Sequence, residues 1–338
     1  MTDSARVTLA VIAEEADVSL STISKVLNGR SDVSPATRRR VETLLERHGY
    51  RRRKSAPAHR AIELVFPELE SAWSMEIIKG VEDVARVRGM TVTLSQSGGR
   101  LAPPAEWLDG LLQRQPAALV LVVSAVPEFY SEILRARSIP FIVIDPAGDP
   151  PASVPSVGSA NWSGGLAATR HLIKLGHTRI AAITGPDDMR SAHARLDGYR
   201  AAMLGADLSV HPEWTRFGDF TQAAGVHHGS ELLALPEGDR PTAIFAGNDL
   251  QAHGVMVAAR AIGLSVPHDL SVVGYDDIPM AEWVTPRLTT IHQPLRQMAQ
   301  EATRLVTEPQ IPGYNAIPRL DLSTHLVIRE STAPPRAE

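Results

Sequence analysis

The stretch VSLSTISKVLNG, residues 18–29, predicts a short helix with two unlike faces. At helical spacing three apolar side chains share one face and would pack inward, namely Ile23, Val26 and Leu27. The opposite face carries side chains that are short or compact except for one lysine: Leu20, Ser21, Ser24 and Lys25. Solvated helix faces are usually rich in charged side chains. This face is therefore suited to being covered by a partner.

Helix signals on both sides of this stretch complete a three-helix head. Thr8 can cap the run LAVIAEEA, and Asp17 follows it in a tight turn. Ser19 can cap the helix of residues 20–27, and Ser34, followed by proline, opens a third helix, ATRRRVETLLERHG. Two helices joined by a turn of about three residues form the helix-turn-helix arrangement.

Composition limits the classes of protein to consider. A chain of 338 residues, 43% hydrophobic and 21% charged, is long enough for two or three folded domains. It has no cysteine, which excludes disulfides and thiolate chemistry and fits a reducing compartment. Acidic residues interrupt the only apolar run near the N-terminus, and AALVLVVSAV at 117–126 is too short to span a bilayer. We therefore expect a cytoplasmic protein without a membrane partner.

Charge is distributed unevenly along the chain. Residues 1–60 hold 12 Lys and Arg against 7 Asp and Glu, whereas the remainder holds 22 against 31. A basic head on an acidic body indicates that only the head meets a polyanion.

From residue 62 the chain alternates short apolar runs with helical patterns. The runs are IELVF, MTVTL, ALVLVV, FIVI, RIAAIT, TAIFAG and SVVGY. This rhythm is typical of βαβ units, in which a parallel sheet has helices on both faces. Seven such units are more than one small sheet usually contains. We therefore expect an α/β body of two similar, doubly wound lobes.

Several segments resemble the lactose/galactose-repressor family of bacterial transcription regulators. Residues 7–50 resemble its DNA-binding head, and GGLAATRHLIKLGHTRIAAITGP, RLDGYRAAM, AIFAGNDLQAHGV, LSVVGYDD and PRLTTIHQP resemble successive signatures of its effector-binding body. The resemblance extends from Val7 to about Glu330. It implies a homodimer that binds a pseudo-palindromic operator in double-stranded DNA, and a body like that of periplasmic sugar-binding proteins, closing on a small effector.

The residue patterns and the resemblance together divide the chain. They predict a helix-turn-helix domain at 1–50, a linker without apolar periodicity at 51–61, an effector-binding domain at 62–330 and a disordered tail at 331–338. In that fold the chain crosses between lobes three times. We expect one lobe at 62–174 and 291–309, and the other at 175–290 and 310–330.

The face of the 20–27 helix that carries Leu20, Ser21, Ser24 and Lys25 is therefore expected to enter the major groove of DNA. By position in the family, Leu20, Ser21 and Lys25 would read bases. The other expected DNA contacts, mostly to phosphates, are Thr8, Ser19, Thr22, Ser24, Asn28, Arg30, Tyr50, Arg51, Arg52 and Arg53. Lys25 stands where the family more often has arginine, so its preference for guanine should be looser. A helical hairpin packed on another protein is the alternative reading.

The resemblance places an effector site between the lobes. Its polar candidates by motif position are Asn161, Arg195, Asn248, Asp276 and Gln293, with Phe220 as an apolar wall. Trp73 and Asp145 lie near expected strand ends and point to the same cleft. A charged acceptor and a charged donor bind neutral hydroxyls well once desolvated, which favours Asp276 and Arg195. The alternatives are an interlobe ion pair for these two residues, and core or dimer packing for Trp73.

Other functions find less support in the residues. The paired carboxylates of GYDD have no nucleophile and oriented base nearby, so we do not expect an enzyme. His171 and His177 are six residues apart, and His227 and His228 are neighbours on a helical pattern, so we expect neither a metal site nor a cofactor. A solute-binding protein without a transcriptional role would share the body. Such a protein would have to be exported, whereas this sequence shows a DNA-binding head and no signal-peptide pattern. From the resemblance we expect the effector to be a sugar or oligosaccharide that acts as an inducer.

The linker departs from the family pattern. Relatives typically follow the tyrosine with Pro-Asn and a short hinge helix, whose leucine wedges into the minor groove. Here Tyr50 is followed by RRRKSAPAHRA, which has neither Asn nor Leu, and Pro57 opposes a helix. We expect a basic arm that tracks phosphates or a narrow minor groove. The operator would then be bent less, and binding would depend more steeply on salt.

Overall fold

The computed structural model describes residues 9–27, 33–48, 61–69, 72–98, 103–122, 126–145, 154–308 and 318–336. They form two compact units, Met1–His59 and Arg60–Glu338. The predicted linker, 51–61, lies outside the described residues except for its last residue, which begins the first strand. No helix within the described ranges is long and apolar enough to cross a membrane.

The first unit contains the three predicted helices, α1 (Leu9–Glu15), α2 (Leu20–Leu27) and α3 (Pro35–Arg47). Their common core includes Ile12, Ile23 and Val41, each fully buried. Ser19 Oγ accepts a hydrogen bond from the backbone N–H of Thr22 at 3.2 Å, which caps α2 as predicted. Asp17 has a φ of 51°, the left-handed conformation that the turn before α2 requires. The helix-turn-helix prediction is confirmed.

The second unit alternates strands and helices. Its strands are β1 (Ala61–Phe66), β2 (Thr91–Gln96), β3 (Ala118–Leu121), β4 (Phe141–Ile144), β5 (Ser156–Ser159), β6 (Ile180–Thr184), β7 (Thr215–Phe217), β8 (Ala243–Ala246), β9 (Ser271–Asp276), β10 (Thr289–His292), β11 (Arg319–Leu322) and β12 (His325–Val327). Its helices are α4 (Ala72–Val87), α5 (Ala105–Arg114), α6 (Glu128–Ala136), α7 (Asn161–Lys174), α8 (Arg190–Leu204), α9 (Gln222–Leu233), α10 (Asp249–Ala261), α11 (Met280–Trp283) and α12 (Leu295–Thr307). Each predicted apolar run contains a strand.

The strands form two sheets of equivalent topology, one in each lobe. The first has the order β2-β1-β3-β4-β5-β11 and is parallel throughout. The second has the order β7-β6-β8-β9-β10-β12, with only β12 antiparallel. Helices cover both faces of each sheet, α4 and α12 opposite α5 and α6 in the first lobe, and α7 and α8 opposite α9 and α10 in the second. The prediction of a two-lobed, doubly wound α/β body is confirmed.

The division of the chain between the lobes differs from the predicted one. The prediction placed residues 161–174 in the first lobe, but α7 packs against α8 in the second. This packing is close because Gly165 and Gly198 lie at the contact, where a Cβ would collide with the facing backbone. The prediction placed 310–330 in the second lobe, but β11 pairs with β5 in the first. The chain therefore crosses near residues 160, 293 and 323.

The prediction of a disordered tail at 331–338 is also wrong as far as residue 336, where the described residues end. Ser331 is fully buried, and its Oγ donates to the carbonyl of Val272 at 2.6 Å. The carbonyl of Ala333 lies 2.9 Å from both Ser271 Oγ and His177 Nε2. These hydrogen bonds fix the segment on the edge of the second lobe because they satisfy buried polar groups on both sides.

Candidate effector cleft and DNA-recognition helix

A cavity of about 450 Å³ lies between the lobes at the carboxyl ends of the strands. Ligands in open α/β sheets occupy this position. Its apolar lining comes from both lobes and consists of Phe66, Pro67, Trp73, Val122, Ile144, Met189, Phe220, Leu250 and Ile278. Its charged lining consists of Glu68, Asp145, Arg195, Asp219 and Asp276. The cleft thus combines apolar walls with a few convergent polar groups, the usual composition of a small-molecule site.

Arg195, on α8, is held by the protein through every nitrogen of its guanidinium. Nε donates to Asn161 Oδ1 at 2.9 Å, Nη1 to the carbonyl of Gly247 at 2.7 Å, and Nη2 to Gln293 Oε1 at 3.3 Å. Its guanidinium carbon lies 3.7 Å from the centroid of the Tyr275 ring, a cation–π contact. Arg195 is therefore a fixed positive charge in the wall of the cleft.

Asp276 ends β9 beside this charge and is 5% exposed. Its Oδ1 lies 3.5 Å from Arg195 Nη1, yet it accepts no hydrogen bond from any described residue. Burial raises the pKa of Asp276 to about 7, although Arg195 lowers it and Asp145 adds to the rise. A buried acceptor without a donor carries an unmet desolvation penalty. A ligand that donates a hydrogen bond here would remove it.

Asp145, at the end of β4, supplies a second carboxylate on the first-lobe side of the cleft. Its Oδ1 accepts a hydrogen bond from Asn161 Nδ2 at 3.3 Å. Desolvation raises the pKa of Asp145, and the charge of Arg195 opposes the rise. Arg195 therefore balances carboxylates from both lobes.

Backbone strain is concentrated at these strand ends. Asp145, Phe220 and Asp276 have φ values of 48°, 66° and 104°, in the left-handed region. Aspartate tolerates this conformation, but for a bulky phenylalanine it is an outlier. The Phe220 ring packs over Gly185, where any Cβ would collide with it. Strained residues of this kind cluster at ligand sites.

Asn248 and Asp249 begin α10 and hold the loops around the cleft. Asn248 Oδ1 accepts from the backbone N–H of Gln251 at 2.9 Å, while its Nδ2 donates to the Phe220 carbonyl at 2.9 Å. Asp249 is fully buried, and its two oxygens accept from Thr290 Oγ1 at 2.5 Å and from the N–H of Ile278 at 2.9 Å. Desolvation raises the pKa of Asp249 well above its usual range. Unlike Asp276, Asp249 has a hydrogen bond on each oxygen.

The structure brings together most of the side chains that the sequence placed at the effector site. Those that line the cleft are Trp73, Asp145, Arg195, Phe220, Asn248 and Asp276. Asn161 and Gln293 stand behind this lining, where both accept hydrogen bonds from Arg195. Sequence reasoning missed Glu68, Ser191, Asp219, Thr221 and Gln222. Signals for them existed, since Ser191 is one helical turn before Arg195 and the last three flank Phe220.

Arg195 and Asp276 do approach each other, but α8 and β9 both belong to the second lobe, so the suggested interlobe ion pair is wrong. Trp73 packs against the first-lobe core and also lines the cleft, so core packing accounts for part of its surface.

The predicted reading face of α2 is open. Leu20 is 55% exposed, and Ser21 and Lys25 are exposed as well. Ser19 Oγ lies 2.7 Å from Ser21 Oγ and 2.9 Å from Thr22 Oγ1, which orders the hydroxyls at the start of the helix. Ser24 lies in α2, but its side chain is outside the description, as are the predicted DNA contacts Thr8, Asn28, Arg30, Tyr50, Arg51, Arg52 and Arg53.

Comparison with known proteins places both units. Residues 8–53 match the domain described as bacterial regulatory proteins, lacI family, and residues 169–332 match a periplasmic binding protein-like domain. The transcriptional regulator CelR of Thermobifida fusca is 36% identical over 340 residues, which covers 96% of this chain and 98% of CelR. The transcriptional repressor CytR of Escherichia coli is 32% identical and covers 96% of both chains. The chain belongs to the lacI family.

Solved structures of lacI-family regulators extend the likeness to the fold. The CelR–cellobiose complex has a TM-score of 0.71 at 32% identity and covers 96% of this chain and 100% of its own. The lac repressor dimer bound to operator and the anti-inducer ONPF has a TM-score of 0.68 at 27% identity and covers 97% and 99%. This lacI-family protein is a DNA-binding transcriptional regulator, and its relatives are transcriptional repressors, not enzymes.

Proposed function

We propose that this protein is a homodimeric repressor whose cleft binds a neutral sugar or short oligosaccharide, and that the sugar releases it from a pseudo-palindromic operator. It would act in the cytoplasm, where its DNA lies. The observation that carries the proposal is Asp276, which lines the cleft and whose Oδ1 is a buried acceptor that accepts no hydrogen bond from the described residues. A sugar hydroxyl is a donor of the kind this atom needs.

The charge of the cleft favours a neutral ligand. Among the residues that the structure describes, four acidic side chains line it, Glu68, Asp145, Asp219 and Asp276, against one basic side chain, Arg195. A phosphate or carboxylate would meet these acids in a site where all the nitrogens of the arginine are already engaged by the protein. A neutral hydroxylated ligand avoids this repulsion.

The apolar walls suit the faces of a sugar ring. Aromatic side chains bury large apolar areas while leaving neighbouring positions polar, and Trp73 and Phe220 stand on opposite sides of the cleft, from the first and second lobe. A C–H-rich ring face would pack against them while its hydroxyls reach Asp276 and Asp145. Relatives support this class of ligand, since one has been solved with cellobiose and another, from Enterococcus faecium, with ribose.

The head supports the operator part of the proposal. The exposed face of α2 carries Leu20, Ser21 and Lys25, which can reach base edges in a major groove about 12 Å wide. The lac repressor is a dimer on its operator, and a similar pairing here would explain why a single short helix suffices for each half-site.

Fluorescence anisotropy with operator duplex tests the proposal. Duplexes would be selected from random DNA by the full chain, then titrated in cellobiose, glucose and ribose, with glucose 6-phosphate as the charged control. At least one neutral sugar should weaken DNA binding, and glucose 6-phosphate should not. Release by the phosphate alone would contradict the cleft assignment. A chain that binds sugar but selects no DNA would instead be a solute-binding protein.

A further inference from the structure

Helix α9 carries a cluster of three potential metal ligands outside the effector cleft. Its members are His227, His228 and Glu231, and one ligand atom from each lies within 4.8 Å of the other two. His227 and Glu231 are four residues apart and His228 and Glu231 three, so both imidazoles reach one carboxylate from adjacent turns. The sequence suggested that neighbouring histidines point two ways, but the rings stand 4.9 Å apart and converge on Glu231.

Each histidine lies about as far from the carboxylate as two ligands of one metal ion lie from each other. His227 Nε2 lies 3.5 Å from Glu231 Oε1, and His228 Nδ1 lies 3.2 Å from Glu231 Oε2. With metal–ligand bonds of about 2.0–2.2 Å, neighbouring ligands in a tetrahedral zinc site stand about 3.4 Å apart. Because the two imidazoles face different oxygens of Glu231, the three side chains would adjust their torsions to bring one atom each onto a single ion.

We propose that His227, His228 and Glu231 bind one divalent transition-metal ion of the Zn²⁺ class, with water completing the coordination. Two imidazoles and a carboxylate are ligands that suit Zn²⁺, Ni²⁺ and Cu²⁺ better than Mg²⁺ or Ca²⁺. His227 is mostly exposed and His228 mostly buried, so the site is reached from solvent on one side. Leu232 and Leu233 anchor α9 in the core, which keeps the ligand positions fixed.

One competitor for the carboxylate is present. Arg216 Nε donates to Glu231 Oε2 at 3.2 Å. Its Nη1 also donates to the carbonyl of Glu213 at 2.6 Å, so Arg216 keeps a partner if the metal takes Glu231. Arg216 and the ion therefore compete for one group.

Isothermal titration of the untagged full chain with ZnCl2 tests the site. We expect one equivalent to bind, with affinity lowered about tenfold or more in His227→Ala, His228→Ala and Glu231→Gln. His211→Ala is the matched control, because His211 is an exposed histidine beside a single carboxylate, 3.7 Å from Glu213. The His211→Ala variant should bind Zn²⁺ with the affinity of the parent chain.

Arg216→Ala separates a metal site from a plain salt-bridge cluster. Removal of the competing guanidinium should tighten Zn²⁺ binding severalfold, whereas a loss or no change would exclude Glu231 as a ligand and overturn the site. Equal Zn²⁺ affinity in the parent and in a His227→Ala/His228→Ala double variant would overturn it as well. Thermal melting of each variant without metal checks that these surface changes leave the fold intact.

Discussion

The reading face of α2 and the interlobe cleft both present polar side chains, but they satisfy them in opposite ways. On α2 the hydroxyls of Ser19, Ser21 and Thr22 are within reach of solvent and hydrogen-bond to one another. In the cleft Arg195 and Asp276 are 4% and 5% exposed, and one carboxylate oxygen has no donor among the described residues.

The free energy of ligand binding is therefore distributed differently in the two regions. On an exposed helix face each contact replaces water, so recognition is a sum of modest terms spread over several base pairs. In the cleft Asp276 Oδ1 carries an unmet desolvation penalty, so one donor from a ligand changes the energy of the site. The cleft should therefore respond sharply to single substitutions and to pH, and α2 should respond mainly in specificity.

The largest effect is expected for Arg195→Ala. Loss of this charge leaves the Asp276 carboxylate buried without its counter-charge, and breaking a buried pair typically destabilises by about 3–5 kcal/mol. Asp276 has a pKa of about 7, above the unfolded value of 3.8, so its protonation relieves the penalty at acid pH. Urea unfolding should therefore show a larger loss above about pH 8 than at about pH 5.

Arg200→Ala is the matched control for this experiment. Arg200 lies on the same helix, where it pairs with Asp197 at 3.1 Å, but both side chains are exposed. Exposed pairs contribute about 0–1 kcal/mol. An Arg195→Ala loss no larger than that of Arg200→Ala would break the contrast between buried and exposed polar groups.

Changes on α2 should alter which DNA is preferred. Exchanging Leu20 and Ser21 should select a different half-site, with each mismatched base pair costing about 1–3 kcal/mol. Because Leu20 is 55% exposed, the thermal stability of the chain should hardly change. Selection from random duplexes checks this, and recovery of the parental operator would mean that α2 does not read the bases.

Asp249→Ala tests the contrast between Asp249 and Asp276, two buried carboxylates of the second lobe. Asp249 is as buried as Asp276 but accepts a hydrogen bond on each oxygen. Alanine leaves the Thr290 hydroxyl and the N–H of Ile278 without their acceptor, so we expect a stability loss of about 1–3 kcal/mol. Effector affinity of the folded protein should stay close to that of the parent. Unfolding and calorimetry on one preparation check both, and a pure affinity defect would contradict the structural role.

The pH response of the cleft is the smallest of these effects. A sugar hydroxyl donates to the ionised form of Asp276, whose pKa without ligand is about 7. Effector affinity should then rise with pH through about 7 and level off above it, with at most about a tenfold change per pH unit below. Calorimetry with the sugar that releases the operator gives the curve. A flat profile in the parent chain would exclude hydrogen bonding to the carboxylate.

Much of the fold could be predicted because buried parallel strands are continuous apolar runs. β1, β3, β4, β6, β8 and β9 all come from such runs, and β2 from an alternating one. β5 escaped because SVGS has small polar side chains, although all four residues are buried. β7, β11 and β12 are short strands toward sheet edges, where little apolar sequence is required.

Local sequence patterns did not show which distant element a helix or the tail packs against. The apolar stripe of α7 predicts a buried face but not which sheet it covers, and the contact of Gly165 with α8 decides that. The tail depends on Ser331 and Ala333, whose partners are far away in the sequence. Motif position found Arg195 and Asp276, yet Asn161 and Gln293 turned out to support Arg195, because hydrogen-bond partners across a fold leave no local signal.

Calorimetric titration of Asp276→Asn with the sugar that releases the parent chain from operator tests Asp276 as the acceptor of the effector. The binding free energy of the effector should weaken by about 1.5–3 kcal/mol, the contribution of a hydrogen bond to a charged group. Operator affinity in the absence of sugar should remain at the parental value, since Asp276 lies in the cleft of the second unit. Parental sugar affinity in this variant would contradict the claim that Asp276 receives the effector.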